Sequence, residues 1–110
     1  MFYEANEMQQ KLVTFFVQIL QQNNKLLERV AIFDGDLFYD HDNCILVFKL
    51  SGLHTFLRNE INLDYTEFRK LIYKSTINEE LQKLGGLIEI HQSIGNVDEN
   101  MYRLVRLNQQ

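Results

Sequence analysis

From about Glu4 to Glu28 the apolar positions repeat with the period of a helix, and neither proline nor glycine interrupts them. Met8, Leu12, Phe15, Ile19 and Leu26 fall at four- and three-residue steps, with Gln22 at the step between the last two. Val13, Phe16, Val17, Leu20 and Leu27 form a second stripe beside the first. A helix packed on one side of a small domain needs an apolar arc of only about 100°. Between Leu12 and Leu20 this one is apolar over more of its circumference, so two surfaces must cover it. A second copy of the chain is the economical source of the second surface. The pattern predicts a helical element over residues 1–30 whose Val13, Phe16, Val17 and Leu20 form a homodimer interface. The alternative is a central helix wrapped by its own sheet.

Two β-rich runs follow, about Val30 to Tyr39 and Cys44 to Leu50, on either side of the turn-forming "DHDN". They predict an antiparallel hairpin. "SGLHTFLRNEI" reads as a short helix with Ser51 at its N-cap. In "LDYTEFRKLIYKS", Asp64 stands three residues before Glu67 as an Asp form of the capping box, and Tyr65, Phe68, Leu71 and Ile72 make the apolar face. Thr76 and Glu79 repeat that spacing ahead of "INEELQKL", which Gly85 and Gly86 end. A strand Leu87 to Gln92, the loop "SIGNVDEN" and a strand Met101 to Leu107 complete the chain. On the first of these strands Ile88 and Ile90 alternate with Glu89 and His91, the pattern of a half-buried antiparallel strand. On the second, Tyr102 and Leu104 point one way and Arg103 and Val105 the other, so this strand is expected to be covered on both faces. The expected class is α+β in one domain, residues 1–110: a long N-terminal helix, a hairpin, two or three short helices and a C-terminal hairpin.

The order helix, helix, turn, helix, strand, loop, strand in residues 51–107 resembles the winged-helix domain, a helix-turn-helix variant with a C-terminal hairpin wing. The matching pieces are "LHTFLRNEI", "YTEFRKLIY", "INEELQKLGG" and "LIEIHQSIGNVDENMYRLV". The resemblance implies that the helix Ile77 to Leu84 would enter a major groove while the wing lies on the phosphate backbone. Such a helix should offer basic and amide side chains. This one offers Asn78, Glu79, Glu80, Gln82 and Lys83, and the wing tip carries Asp98 and Glu99. The basic groups that could touch a macromolecule are Arg69, Lys70, Lys74, Arg103 and Arg106; Lys70 and Lys74 share a helix face. Glutamates and aspartates at both contact places repel phosphate, so protein contact is the favoured use of this shape.

Composition narrows function further. The chain of 110 residues carries a formal charge of −4, which gives no global attraction for nucleic acid or anionic membranes. The lone Cys44 excludes an internal disulfide or a multi-cysteine zinc site, and it reads as a buried, inert thiol on a strand. The N-terminus lacks a signal-peptide pattern and the longest apolar run, "LVTFFVQIL", is too short to span a bilayer, so a soluble cytoplasmic protein is expected. In "FDGDLFYDHDN", Asp34, Asp36, Asp40, His41 and Asp42 crowd together, but the glycine and the distal glutamate of a calcium loop are out of place. Neither His54 nor His91 is placed near Cys44 by any spacing, and no glycine-rich phosphate loop occurs. No enzyme, metal or cofactor is expected. The expected function is that of a small cytoplasmic binding or regulatory protein acting through protein–protein contacts as a homodimer; by size and charge it sits among regulators, inhibitors and immunity-like proteins. A winged-helix-like DNA-binding regulator is the alternative.

Overall fold

The computed structural model describes residues 2–74 and 76–107. Its elements are α1 (Phe2–Leu20), α2 (Asn24–Ile32), β1 (Leu37–Asp40), β2 (Ile45–Phe48), α3 (Leu50–Leu57), α4 (Tyr65–Lys74), α5 (Ile77–Lys83), β3 (Gly86–Gln92) and β4 (Met101–Arg106). The four strands form one antiparallel sheet in the order β1-β2-β4-β3. The class is α+β.

The single helix expected through Glu28 is instead two helices. Gln22 adopts a left-handed backbone with φ 59°, its N–H donates to the Ile19 carbonyl at 2.9 Å, and the Asn23 N–H donates to Gln18 at 3.1 Å. That pair of bonds is a Schellman end. Asn23 then caps the next helix, its Oδ1 accepting the Leu26 N–H at 3.0 Å. The break lies at Asn23, a preferred cap residue, and it carries Val30 and Ile32 into α2 rather than into the first strand. Two further boundaries move for local reasons. Leu50 opens α3, which puts Lys49 rather than Ser51 at the cap position, and Cys44 lies in the β1–β2 turn with φ 57°. Asp64 does cap α4, accepting the Glu67 N–H at 2.9 Å. Thr76 precedes α5, but its hydroxyl accepts from the Gln9 amide at 3.1 Å instead of capping its own helix.

α1 crosses one face of the sheet. Contacting rings run from α3 through α1 into β2 and β4: Phe56 to Phe15 at 5.8 Å, Phe15 to Phe16 at 5.3 Å, Phe16 to Phe48 at 6.0 Å, Phe48 to Tyr102 at 6.1 Å. Aromatic pairs at such separations add to what simple burial contributes. Val13, Phe16 and Leu20 lie in this core, and Val17 packs half-buried against it. The second covering surface that α1 requires is therefore supplied by α2, α3 and α5 of the same chain. Val13, Phe16, Val17 and Leu20 thus meet partners within their own chain, and the need for a homodimer interface at these four residues disappears.

α3 approaches the start of β1 so closely that a Cβ on Gly52 would stand 2.3 Å from the Asp36 carbonyl oxygen, which leaves room for glycine only. Residues 51–107 follow the winged-helix order of elements. The C-terminal hairpin is nevertheless no free-standing wing, because β4 pairs with β2 through Leu46↔Leu104, Val47↔Arg103 and Phe48↔Tyr102. The outer edge of β3 is guarded at its centre. The Asn78 side chain accepts the Ile88 N–H at 2.8 Å and donates to the Ile88 carbonyl at 2.9 Å, standing where another strand would pair.

Two outcomes follow for stability. Asn23→Ala should cost about 1 kcal/mol in urea unfolding, while Gln22→Gly relieves the left-handed residue and should leave stability equal or raise it by up to about 1 kcal/mol. Phe16→Glu places a carboxylate in a fully closed site, so circular dichroism should show loss of the fold, not a folded monomer.

Candidate functional site

Strand pairing divides the sheet into two faces. The face toward α1 carries Leu37, Leu46, Phe48, Tyr102 and Leu104, all buried. The opposite face carries Phe38, Asp40, Ile45, Val47, Leu87, Glu89, Met101, Arg103 and Val105. Six of these nine are apolar; Val47 is buried, and the other five neither belong to the hydrophobic core nor pack against it. Phe38 is 50% exposed, Ile45, Leu87, Met101 and Val105 are half-buried, and Val47 is shielded between its cross-strand neighbours Phe38 and Arg103. An antiparallel sheet facing water normally shows polar residues there. This face is apolar instead.

Its charges are spent on each other or on local structure. The Arg103 Nε donates to Glu89 Oε2 at 2.6 Å across β4 and β3. The Asp40 carboxylate turns into the β1–β2 turn, accepting the Asn43 amide at 2.8 Å and the Asp42 and Asn43 N–H groups at 3.0 and 3.2 Å. The Asn43 bonds, with the Asp42 N–H, hold this carboxyl below the usual carboxylate range. In the same turn the thiol of Cys44 is half-buried, taking a bond from Gln22 Nε2 at 3.4 Å; the expected buried strand thiol is thereby corrected. The His41 ring packs edge-on against Tyr39 at 4.8 Å. Among the described residues no three His, Cys, Asp or Glu side chains gather as metal ligands would.

The basic groups singled out in the sequence are not brought together. Arg69 pairs with Asp98 at 3.2 Å, and Lys70 with Glu67 at 3.9 Å on the same helix. Arg103 lies on the open face and Arg106, three residues on, at the opposite face. Arg106 donates to the Leu20 carbonyl, where a cation at a helix C-terminus is favoured. The Lys74 side chain lies outside the described residues. The acidic loop tip is likewise partnered within the chain: Asp98 accepts the Tyr65 hydroxyl at 2.7 Å, and the exposed Glu99 reaches Lys49 at 3.5 Å. Asn96 organises this loop by accepting the Asp98 and Glu99 N–H groups, and the buried Asn100 accepts the Ile94 N–H at 2.7 Å. His54 is structural, its Nε2 bonded to the Leu63 carbonyl at 2.7 Å between Tyr65 and Phe68.

A groove of about 460 Å³ between α1, α2 and the end of α3 has Phe15, Leu26, Leu57 and Ile61 as its floor. Its charged rim is already closed on itself: Arg29 pairs with Glu60 at 3.1 Å and stacks on Phe56, and Lys11 donates to the Glu60 carbonyl. A smaller groove of about 330 Å³ between α4, α5 and β3 is lined by Ile72, Tyr73, Ile88, Ile90 and Tyr102, with the Tyr73 and Tyr102 hydroxyls bonded to each other. The sequence reading named Arg103 but missed Phe38, Val47, Leu87 and Glu89 beside it. The signal was the doubly apolar pattern of β4, which implied a second cover without saying whose.

Burial first, and then the Asp98 bond, push the Tyr65 phenol well above its ordinary value of 10.0. A raised folded value means stability fully present below that pH and lost as pH climbs past it. Asp98→Ala should therefore lower the melting temperature at neutral pH, and the gap to wild type should narrow above about pH 10. A gap that stays constant with pH would show that the Tyr65–Asp98 bond contributes nothing. No family model, curated protein or solved structure matches the chain, so its geometry alone speaks for what it does.

Proposed function

We propose that this chain is a small, non-enzymatic binding protein of regulatory type that acts through protein–protein contact. The observation that carries the reading is the far face of the sheet: Phe38 is half exposed, Ile45, Leu87, Met101 and Val105 are half-buried, and the Arg103–Glu89 pair stands beside them. Contiguous exposed apolar surface on a small protein marks a contact site. The absence of any helix long and apolar enough to cross a membrane, among the described residues, fits a protein that works in an aqueous compartment; we place it in the cytoplasm.

A DNA-binding winged helix is the second reading, and the element order of residues 51–107 favours it. Charge weighs against it. Of the five basic groups, Arg69, Lys70 and Arg103 have carboxylate partners and Arg106 has a carbonyl. The helix that would enter the groove has Asn78 bound to Ile88 and Glu80 within reach of Lys83. Phosphate contacts would have to break these bonds first.

Fluorescence anisotropy with labelled duplex DNA separates the two. Protein contact predicts no binding at physiological salt and none on heparin, whereas a groove binder would bind and lose affinity steeply as salt rises. A photo-crosslinking side chain at position 38 should, in the native host, yield protein adducts that the same group at Lys70 does not. Salt-sensitive DNA binding with no adduct at position 38 would overturn the proposal.

A further inference from the structure

We propose that the outer edge of β3 accepts a short extended peptide at Ile90, with one apolar side chain of that peptide seated in the groove between α4, α5 and β3.

Strand pairing fixes which backbone groups are open. Along an antiparallel strand, residues alternate between those that bond the neighbouring strand and those whose N–H and C=O point away from it. Asn78 bonds both backbone groups of Ile88, so Ile88 points outward. Glu89, opposite Arg103, then points to β4, and Ile90, opposite Tyr102, points outward again. No turn, loop or cap bond among the described residues takes up the Ile90 N–H or C=O. Asn78 also shows that this edge is presented for pairing, because its amide gives one bond and takes one, as a strand residue would. The same amide ends the open stretch on one side, and the irregular step between Ile90 and Gln92 ends it on the other. One residue of an extended chain, with its neighbours on either side, fits between them.

The groove supplies the other half of the recognition. A residue that exchanges backbone bonds with Ile90 puts its side chain on the same face as that of Ile90, the face shared with Ile88, Tyr102 and Leu104. There the groove of about 330 Å³ opens, with Ile72, Tyr73, Ile88 and Tyr102 along it. Its volume is at the small end for a ligand pocket. Tyr73 and Ile90 are 46% and 52% exposed, so apolar surface meets water at its mouth. Among its described lining residues only Glu89 is charged, and Arg103 holds that carboxylate. An uncharged apolar side chain such as leucine therefore suits it. Open main-chain groups that select an extended backbone, beside a pocket that selects an alternate side chain, are the two parts of strand addition. This surface lies on the other side of the sheet from Phe38, so the inference is independent of the contact there.

Nitrogen-15 NMR titration of the full chain tests this, with an end-blocked peptide of one leucine between two pairs of threonines as the probe. One pair of backbone bonds and one seated side chain give weak binding, on the order of millimolar. Amide shifts should centre on Ile90 and reach Tyr73 and Asn78. Serine in place of the peptide's leucine should weaken binding about tenfold or more, and methylation of the leucine nitrogen should abolish it. Asn78→Ala uncovers the Ile88 N–H and C=O, so the same peptide should bind about tenfold more tightly. Circular dichroism confirms that this variant folds. Ile90→Lys, at a side chain already half exposed, serves if it does not, and should weaken binding. No shift at several millimolar peptide, undiminished binding of the N-methyl peptide, or indifference to both substitutions would overturn the inference. Shifts centred on Phe38 and Val47 instead would also overturn it, while leaving the far face of the sheet as a contact surface.

Discussion

Everything in this fold answers to the need to cover α1 on more than one side. Between Leu12 and Leu20 the helix is too apolar for a single sheet face to satisfy, with Phe16 against Phe48 of β2 and Phe15 against Phe56 of α3. The sheet takes one side. The Schellman turn at Gln22 sends α2 back across another, and α3 is drawn in through Phe15 and Phe56. α5 closes the remaining arc next to Gly86, whose missing side chain leaves room for Leu20. Burying that stripe within one chain is what determines where the strands lie, and so which residues end up on the sheet's far side.

The same economy consumes the charged residues. A short chain has few long connections, and several are tied by ion pairs or charged hydrogen bonds. Asp98 ties the β3–β4 loop to α4, Glu99 ties it to Lys49, Arg106 meets the open end of α1, and Glu60 ties the end of α3 to α2. Exposed pairs of this kind contribute little each to stability, but they fix loop positions and leave few free cations. This is why an acidic wing tip, read from sequence as a surface that repels phosphate, becomes an internal fastening. It is also why a helix order shared with DNA-binding domains brings no basic surface with it.

The parts legible in the sequence were those governed by local chemistry. The Asp64 cap and the end of α5 at Gly85 with φ 91° both depend on residues within a few positions of one another, whereas the alternation expected of β3 is not seen, since Ile90 is 52% exposed and Glu89 half-buried. The N-terminal break was illegible because glutamine, rather than glycine, takes the left-handed position; only the Asn23 cap hinted at it. The assignment of Val13, Phe16, Val17 and Leu20 to an interface failed for a different reason. Periodicity reports how much apolar surface needs cover, and says nothing about which segment provides it. Helices α2, α3 and α5 are distant or apparently unrelated in the pattern, yet they do the covering.

The strand β4 shows the same premise applied to another element. Its two parities are both apolar, which is the pattern of a strand buried on two sides. One parity, Tyr102 and Leu104, is met by α1 and the ring series. The other, Met101 and Val105 around Arg103, shares a face with Phe38, Ile45, Val47 and Leu87, and of these only Val47 is buried among the described residues. The sequence pattern asked for a second cover on the helix, which the chain itself supplies, and expected β4 to be covered on both faces, of which the face toward α1 is. The helix had competitors within its own chain for its second face, because α2, α3 and α5 each carry an apolar side that also has to be buried. On the far face of the sheet the residues instead lie against their cross-strand neighbours. Its apolar residues persist in the fold as a half-buried surface with a ring at one side and a fixed ion pair at the other.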